Sequence, residues 1–183
     1  MTATETALDQ LMETFLASCD QHQYPMTPFD PDWPSACYRH EASPGKDVSW
    51  QPVRIEGPLD MFQRLSDALE EELHPDLVSY YSRYWSDPIN CVMPDGTQLS
   101  LLFAWNREDL ERLRGNLIGH ALSKRKQKRP LTLFFGVVEP DTNDMISLNN
   151  QDGSIWLEKP GKAPHTRLAD TLADFLRQLS PAL

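Results

Sequence analysis

Leu131-Thr132-Leu133-Phe134-Phe135-Gly136-Val137-Val138-Glu139 is the stretch on which the fold turns. It is nearly all apolar and β-favouring, and it falls far short of the ~20 residues a membrane helix needs. Such a run predicts a strand buried on both faces, at the centre of a sheet. Downstream, Pro140–Asp144 turns the chain, Met145–Leu148 returns, and Asn149–Gly153 turns it again into Ile155–Glu158, which makes an antiparallel meander. Upstream, Ile89–Met93 and Gln98–Trp105 flank the turn signature Pro94-Asp95-Gly96, with Leu99, Leu101, Phe103 and Trp105 alternating. That pattern is a hairpin.

Around these strands the period changes from two to 3.6. Ala7, Leu8, Leu11, Met12, Phe15 and Leu16 predict a first amphipathic helix ending near His22, before Pro25, Pro28, Pro31 and Pro34. Residues 23–47 read as a Pro-rich irregular connection anchored by Tyr24, Phe29, Trp33 and Tyr38, and Val48–Gln51 as a short strand. Pro58 suits a helix start; Leu59, Phe62, Leu65 and Leu69 continue a stripe expected to stop around His74, before Pro75. Leu77–Trp85 fits a short helix and a strand equally well. Asn106 caps the next helix, with Glu108 and Asp109 in its first turn and Leu110, Leu113, Leu117, Ile118, Ala121 and Leu122 on its buried face. The tail, with Leu168, Leu172, Phe175, Leu176 and Leu179, predicts a last amphipathic helix closed by Ser180-Pro181. Four or five helices around an antiparallel or mixed sheet make the expected class α+β, with one domain over residues 1–183.

The charge is large and uneven. The 183 residues carry 27 Asp/Glu against 17 Lys/Arg, a formal net charge of -10. Residues 1–100 hold 17 acids and 5 bases, while residues 101–183 hold 10 and 12. Five of those twelve bases fall in Lys124-Arg125-Lys126-Gln127-Lys128-Arg129. A surface that binds nucleic acid as a whole would show the opposite balance. Two electrostatic faces are expected instead, and a partner bearing basic segments suits the larger one. Three cysteines with no CxxC pair fit a reducing compartment rather than a disulfide scaffold. The acidic start, MTATETALDQ, lacks the basic region of a secretory signal.

Chemistry-bearing motifs are scarce. Cys37-x-x-His40 has metal-like spacing but no second pair, and structural zinc wants four ligands. His120 stands alone on its helix. Asp30/Asp32 and Glu108/Asp109 are acid pairs that so acidic a chain produces by chance. No GxSxG, P-loop, GxGxxG or HExxH occurs. Nothing in these residues requires an enzyme, a metal or a cofactor, and nothing in them excludes an enzyme. Two clusters break local rules. Glu70-Glu71-Glu72, followed by Asp76, crowd the C-terminal end of the second helix, where the dipole is already negative. These four are the candidate partner-binding residues. Lys124, Arg125, Lys126, Lys128 and Arg129 sit at a helix C-terminus, where cations are favoured, and are the candidate lipid-contacting residues.

Asn116-Leu117-Ile118-Gly119-His120, preceded by Leu101-Leu102-Phe103-Ala104-Trp105 and followed by Lys124-Arg125 and Pro130-Leu131-Thr132-Leu133-Phe134, resembles the Syd family of gammaproteobacteria. Trp50-Gln51-Pro52 and the closing Leu168-Ala169, Phe175-Leu176 and Gln178-Leu179 resemble it too. The resemblance implies a compact α+β domain of the Syd/Knr4-like kind whose concave acidic groove receives basic cytosolic loops of the translocon subunit SecY. It implies loose peripheral attachment at the cytoplasmic side of the inner membrane, through SecY rather than an anchor of its own. Sensing or restraining improperly assembled translocase is the expected role, with no nucleic acid involved. The family brings no catalytic residues, and Glu70–Glu72 enter the groove on charge alone. The alternative is an immunity-like protein that neutralises a basic toxin.

Overall fold

The computed structural model describes residues 1–139 and 142–183. In chain order the elements are α1 (Ala3–Gln21), β1 (Met26–Pro28), β2 (Asp47–Ser49), β3 (Val53–Arg54), α2 (Met61–Leu69), α3 (Pro75–Tyr81), β4 (Tyr84–Trp85) and β5 (Ile89–Val92). There follow β6 (Gln98–Leu101), α4 (Arg107–Lys126), β7 (Thr132–Glu139), β8 (Met145–Asn149), β9 (Ile155–Glu158), β10 (Thr166–Ala169), α5 (Leu172–Arg177) and β11 (Ser180–Pro181). This is the α+β class read from the sequence.

β7 occupies the middle of a seven-stranded sheet, ordered β10-β9-β8-β7-β6-β5-β11, in which every neighbouring pair is antiparallel. Leu133 lies opposite Leu148 in β8, and Val138 lies opposite Leu99 in β6. The register slips between Phe134 and Gly136. A Cβ at Gly136 would stand 3.1 Å from the Ser100 carbonyl oxygen and 3.2 Å from Ile146, so a side chain there would push its neighbours back by a few tenths of an ångström. β7 is covered on both faces, which is why its sequence shows no polar alternation. The Phe135 ring meets Tyr80 of α3 and Phe175 of α5, while Phe134 meets His120 of α4 edge-on. α1 packs on α3, α5 and β11, and α4 packs on α2 and β7.

Several expectations shift in detail. α2 ends at Leu69, four residues before Leu73, because the chain turns left-handed at Glu70 and His74 opens α3 instead. Leu77–Trp85 is divided, its first part in α3 and its end in β4, which pairs with β3. The 23–47 connection is not wholly irregular: Met26–Pro28 pairs with Asp47–Ser49. The tail is three elements, with Leu168 in β10, Leu172–Arg177 helical and Ser180–Pro181 paired to β5. Thr171 sets the helix start by accepting the Asp174 N–H at 3.1 Å. Leu122, placed on the buried face of α4, is exposed. Of the turn expected over Pro140–Asp144, Pro140 and Asp141 lie outside the described residues. Among the described residues, no helix is long and apolar enough to cross a membrane.

Candidate functional site

The acidic cluster is set by the way α2 ends. Met61, Phe62, Leu65 and Leu69 fill one face of this helix and are buried. At Leu69 the stripe stops, and Glu70 takes a left-handed conformation with φ 53°. Its N–H turns back to the carbonyls of Ser66 and Asp67, and the Ser66 hydroxyl donates to the Glu71 carbonyl at 2.8 Å. Glycine or asparagine is the ordinary residue in such a cap, and a glutamate there costs about 1 kcal/mol of backbone strain. The chain keeps a charge where a neutral residue would sit more easily.

Asn150, in the turn between β8 and β9, then fastens the segment. Its Oδ1 accepts the His74 N–H at 2.8 Å, and its Nδ2 donates to the Glu72 carbonyl at 2.9 Å and to Glu71 Oε1 at 3.3 Å. His74 caps α3, its Nδ1 accepting the Asp76 N–H at 3.1 Å. The His74 ring lies against Gly153, where φ is +77° and a Cβ would come within 2.6 Å of Nε2. Backbone and side chains thus hold Glu70, Glu71, Glu72 and Asp76 along one edge of the molecule.

The four acids are not equivalent. Glu70, Glu71 and Glu72 are exposed, and Asp76 is partly buried beside His74. Glu71 lies 3.8 Å from Arg125, whose guanidinium also donates to the Leu69 carbonyl. Glu70 and Glu72 make no ion pair among the described residues. Glu72 also stands on the wall of a cavity of about 450 Å³ between α2 and α3, which Leu59, Phe62, Leu73 and Val78 line with apolar surface. Gln63, Ser66, Ser79 and Ser82 line it too, so the groove mixes apolar and polar surface beside the Glu72 carboxylate and can take a segment that carries a hydrophobic residue and a lysine or arginine.

The basic run does not act as one patch. Lys124 is only 3% exposed and must be removed from the candidate lipid contacts. Residues Leu110, Leu117, Ala121 and Lys124 share the buried face of α4, so its ammonium points inward. There Nζ meets Glu158 Oε1 at 3.1 Å and donates to the Lys162 carbonyl at 3.1 Å. The Thr132 hydroxyl donates to the same carboxylate, and His120 Nε2 stands 3.0 Å from that hydroxyl and 3.3 Å from Glu158 Oε1. Burial pushes the His120 pKa down, with Glu158 opposing the shift and Lys124 adding to it. This cluster joins α4 to β7 and β9. Its partners Thr132 and Glu158 gave no sign in the sequence. Arg125, Lys126 and Lys128 are exposed, and Arg129 donates to the Gly161 carbonyl at 2.9 Å.

The remaining candidates separate. Cys37 is fully buried, which raises its thiol pKa to about 11, whereas His40 is exposed. Asp109 accepts the Trp105 N–H at 2.8 Å in the cap of α4, and Asp30 accepts the Asp32 N–H at 2.9 Å in a loop. Among the described residues, no three His, Cys, Asp or Glu side chains are grouped to hold a metal.

The profile of the Syd protein (SUKH-2) family matches residues 5–181. The chain belongs to the Syd family. It is similar to Protein Syd of Pseudoalteromonas atlantica, 40% identical over 185 aligned positions that cover 99% of this chain and 98% of the relative. Protein Syd of Colwellia psychrerythraea is 39% identical over 98% of this chain and 96% of its own length. That of Hahella chejuensis is 34% identical over 96% and 93%. The Syd name denotes no reaction.

Proposed function

We propose that this Syd-family chain binds basic cytosolic loops of SecY through the acidic edge formed by Glu70, Glu71, Glu72 and Asp76. The observation that carries the reading is the pair of exposed carboxylates, Glu70 and Glu72, that form no ion pair among the described residues, with Glu72 on the wall of the α2–α3 groove. Long-range attraction raises the encounter rate and selects basic loops, and Leu59 and Val78 in the groove supply the desolvated contact that a charged rim alone lacks. In this reading residues 1–183 act as one Syd-like binding domain without catalytic activity or cofactor, peripheral at the cytoplasmic side of the inner membrane and attached through SecY. Nucleic acid has no part in it. The bound protein senses or restrains translocase that is improperly assembled.

Co-sedimentation with membrane vesicles, with and without overproduced SecY, tests this at low and high salt. SecY-dependent pelleting that weakens with salt and disappears in Glu70→Lys/Glu72→Lys is expected. Pelleting with SecY that is indifferent to both salt and charge reversal would refute the acidic edge as the contact. No SecY-dependent pelleting at all would leave the edge to a soluble basic partner, as an immunity-like protein requires.

A further inference from the structure

The acidic chain keeps four basic side chains in one place with no carboxylate among the described residues to neutralise them. At the C-terminal end of α4, Lys124 is matched by Glu158 and Arg125 leans on Glu71, while Lys159 is matched by Asp144. Lys126, Lys128, Arg129 and Lys162 form no ion pair among the described residues. Two hydrogen bonds bring them together from distant parts of the chain: Arg129 donates to the Gly161 carbonyl at 2.9 Å, and the buried Lys124 donates to the Lys162 carbonyl at 3.1 Å. Lys128, like Glu70, holds a left-handed backbone with φ 56°, so this charge too is retained against a local cost. Leu122 lies one turn before Lys126 on the same side of α4 and is 53% exposed.

We infer that this patch, Lys126, Lys128, Arg129 and Lys162 with Leu122 beside them, is a docking surface for anionic phospholipid headgroups. Basic side chains around one exposed leucine suit a membrane interface, where the leucine enters the boundary between headgroup and acyl chain. A nucleic acid offers that leucine nothing. A bilayer can meet this patch alone, whereas a polymer running past it would meet the rest of a surface whose charge is strongly negative. The patch adjoins the acidic edge through Arg125 and Glu71, so a chain seated on membrane-protein loops would turn it toward the surrounding headgroups. The inference does not require that reading, because the patch can be tested without any membrane protein.

The purified full chain would be sedimented with protein-free vesicles of phosphatidylglycerol and phosphatidylcholine, and with phosphatidylcholine alone, at low and physiological salt. Binding to the anionic vesicles only is expected. Each charge removed should lower the partition coefficient about five-fold, so Lys126→Gln/Lys128→Asn/Lys162→Gln should lower it roughly a hundred-fold. These three side chains make no internal bond that folding needs, and an unchanged melting temperature checks that. Leu122→Ser should weaken lipid binding while leaving any attraction to RNA as it was. Equal binding to both vesicle types, a triple variant that pellets like the parent, or binding to RNA in the absence of vesicle binding would each overturn the inference. Because no SecY is present, failure here leaves the acidic-edge reading untouched.

Discussion

Removing Lys124 tests whether the inward-facing lysine is a fastening. In Lys124→Met the carboxylate of Glu158, with no exposed surface, loses the cation 3.1 Å away and keeps only the Thr132 hydroxyl and the His120 ring. Leaving a buried charge without its counter-ion costs about 3–5 kcal/mol. In a chain of this length each 1 kcal/mol is worth roughly 2–4 °C, so the melting temperature should fall by roughly 6–20 °C. His120 gives the experiment a second readout. With Lys124 gone, protonated His120 is the one cation among the described residues that can form beside Glu158, and Lys124 no longer opposes its protonation. The loss should therefore be smaller near about pH 5.5 than near about pH 8, within the range where histidine titrates. Replacing both partners, as in Lys124→Met/Glu158→Leu, should recover most of the stability, since an apolar pair of similar volume removes the orphaned charge. Urea unfolding of the parent and both variants at the two pH values measures all of this. A single-variant loss below about 1 kcal/mol, as an exposed pair would give, refutes the argument. So does a double variant no more stable than the single one.

Other expectations follow from the same geometry. Asn150→Ala leaves the His74 N–H and the Glu72 carbonyl without their partner, and should cost about 1–3 kcal/mol in chemical denaturation while weakening SecY-dependent sedimentation. Glu70→Gly should raise stability by about 1 kcal/mol through relief of the left-handed cap, yet weaken binding by removing one of the two unpaired carboxylates. Gly153→Ala should destabilise, because a Cβ would strike the His74 ring and φ is +77° there; thermal melting reads it. The pH dependence has two parts. His120 titrates in the folded chain below its ordinary value of 6.5, so the unfolded state takes up the proton first and stability falls as pH drops below about that value; His120→Gln should flatten this limb. Asp9, held down mainly by its bonds to Arg83, and Asp144, held down mainly by His165, titrate below their ordinary 3.8, so their stabilisation is full above that value and is lost as pH falls through their folded pKa values.

How far the sequence could be read depended on whether one period ran through a segment. α1 carries a single unbroken period and β7 an unbroken apolar run, and their positions follow from these, whereas the alternation over Gln98–Trp105 overreached, since β6 ends at Leu101. α2 looked longer than it is because Pro75 was the first residue that forbids a helix, while nothing in the sequence marks the left-handed turn at Glu70 that ends it. The tail misled for a related reason: Leu168 lies in a strand, Leu172 and Phe175 in a helix and Leu179 in the link to β11, yet all are apolar. Lys124 is instructive in another way. The spacing Leu110, Leu117, Ala121, Lys124 does place it on the inner face, and the signal was masked by reading a run of basic residues as exposed throughout. Its partner Glu158 carries no local mark at all, since what buries it is α4 and β7, distant in sequence. The acidic edge was legible as composition, but its groove was not, because Phe62, Leu73 and Val78 read as ordinary core until their relative placement is known.

The two helix ends explain why so acidic a chain keeps a basic run. α2 ends with Glu70 and α4 is followed by Lys128, each exposed and each in a left-handed backbone that glycine would adopt at less cost. α2 packs against α4, and Arg125 reaches from the second end to Leu69 and Glu71 at the first. A salt bridge as long as 3.8 Å between half-exposed side chains contributes little to stability. What Arg125 does more effectively is fix a boundary: on one side lie Glu70 and Glu72, on the other Lys126 and Lys128. At physiological salt, fields of opposite sign screened over about 8 Å can coexist on adjoining surfaces without cancelling. If both proposals hold, a partner that offers positive loops above a negative plane would orient the molecule. Charge reversal at Arg125 should then weaken SecY-dependent sedimentation less than reversal at Glu70 and Glu72, because Arg125 separates the two surfaces and belongs to neither; an equal loss would place it inside the contact.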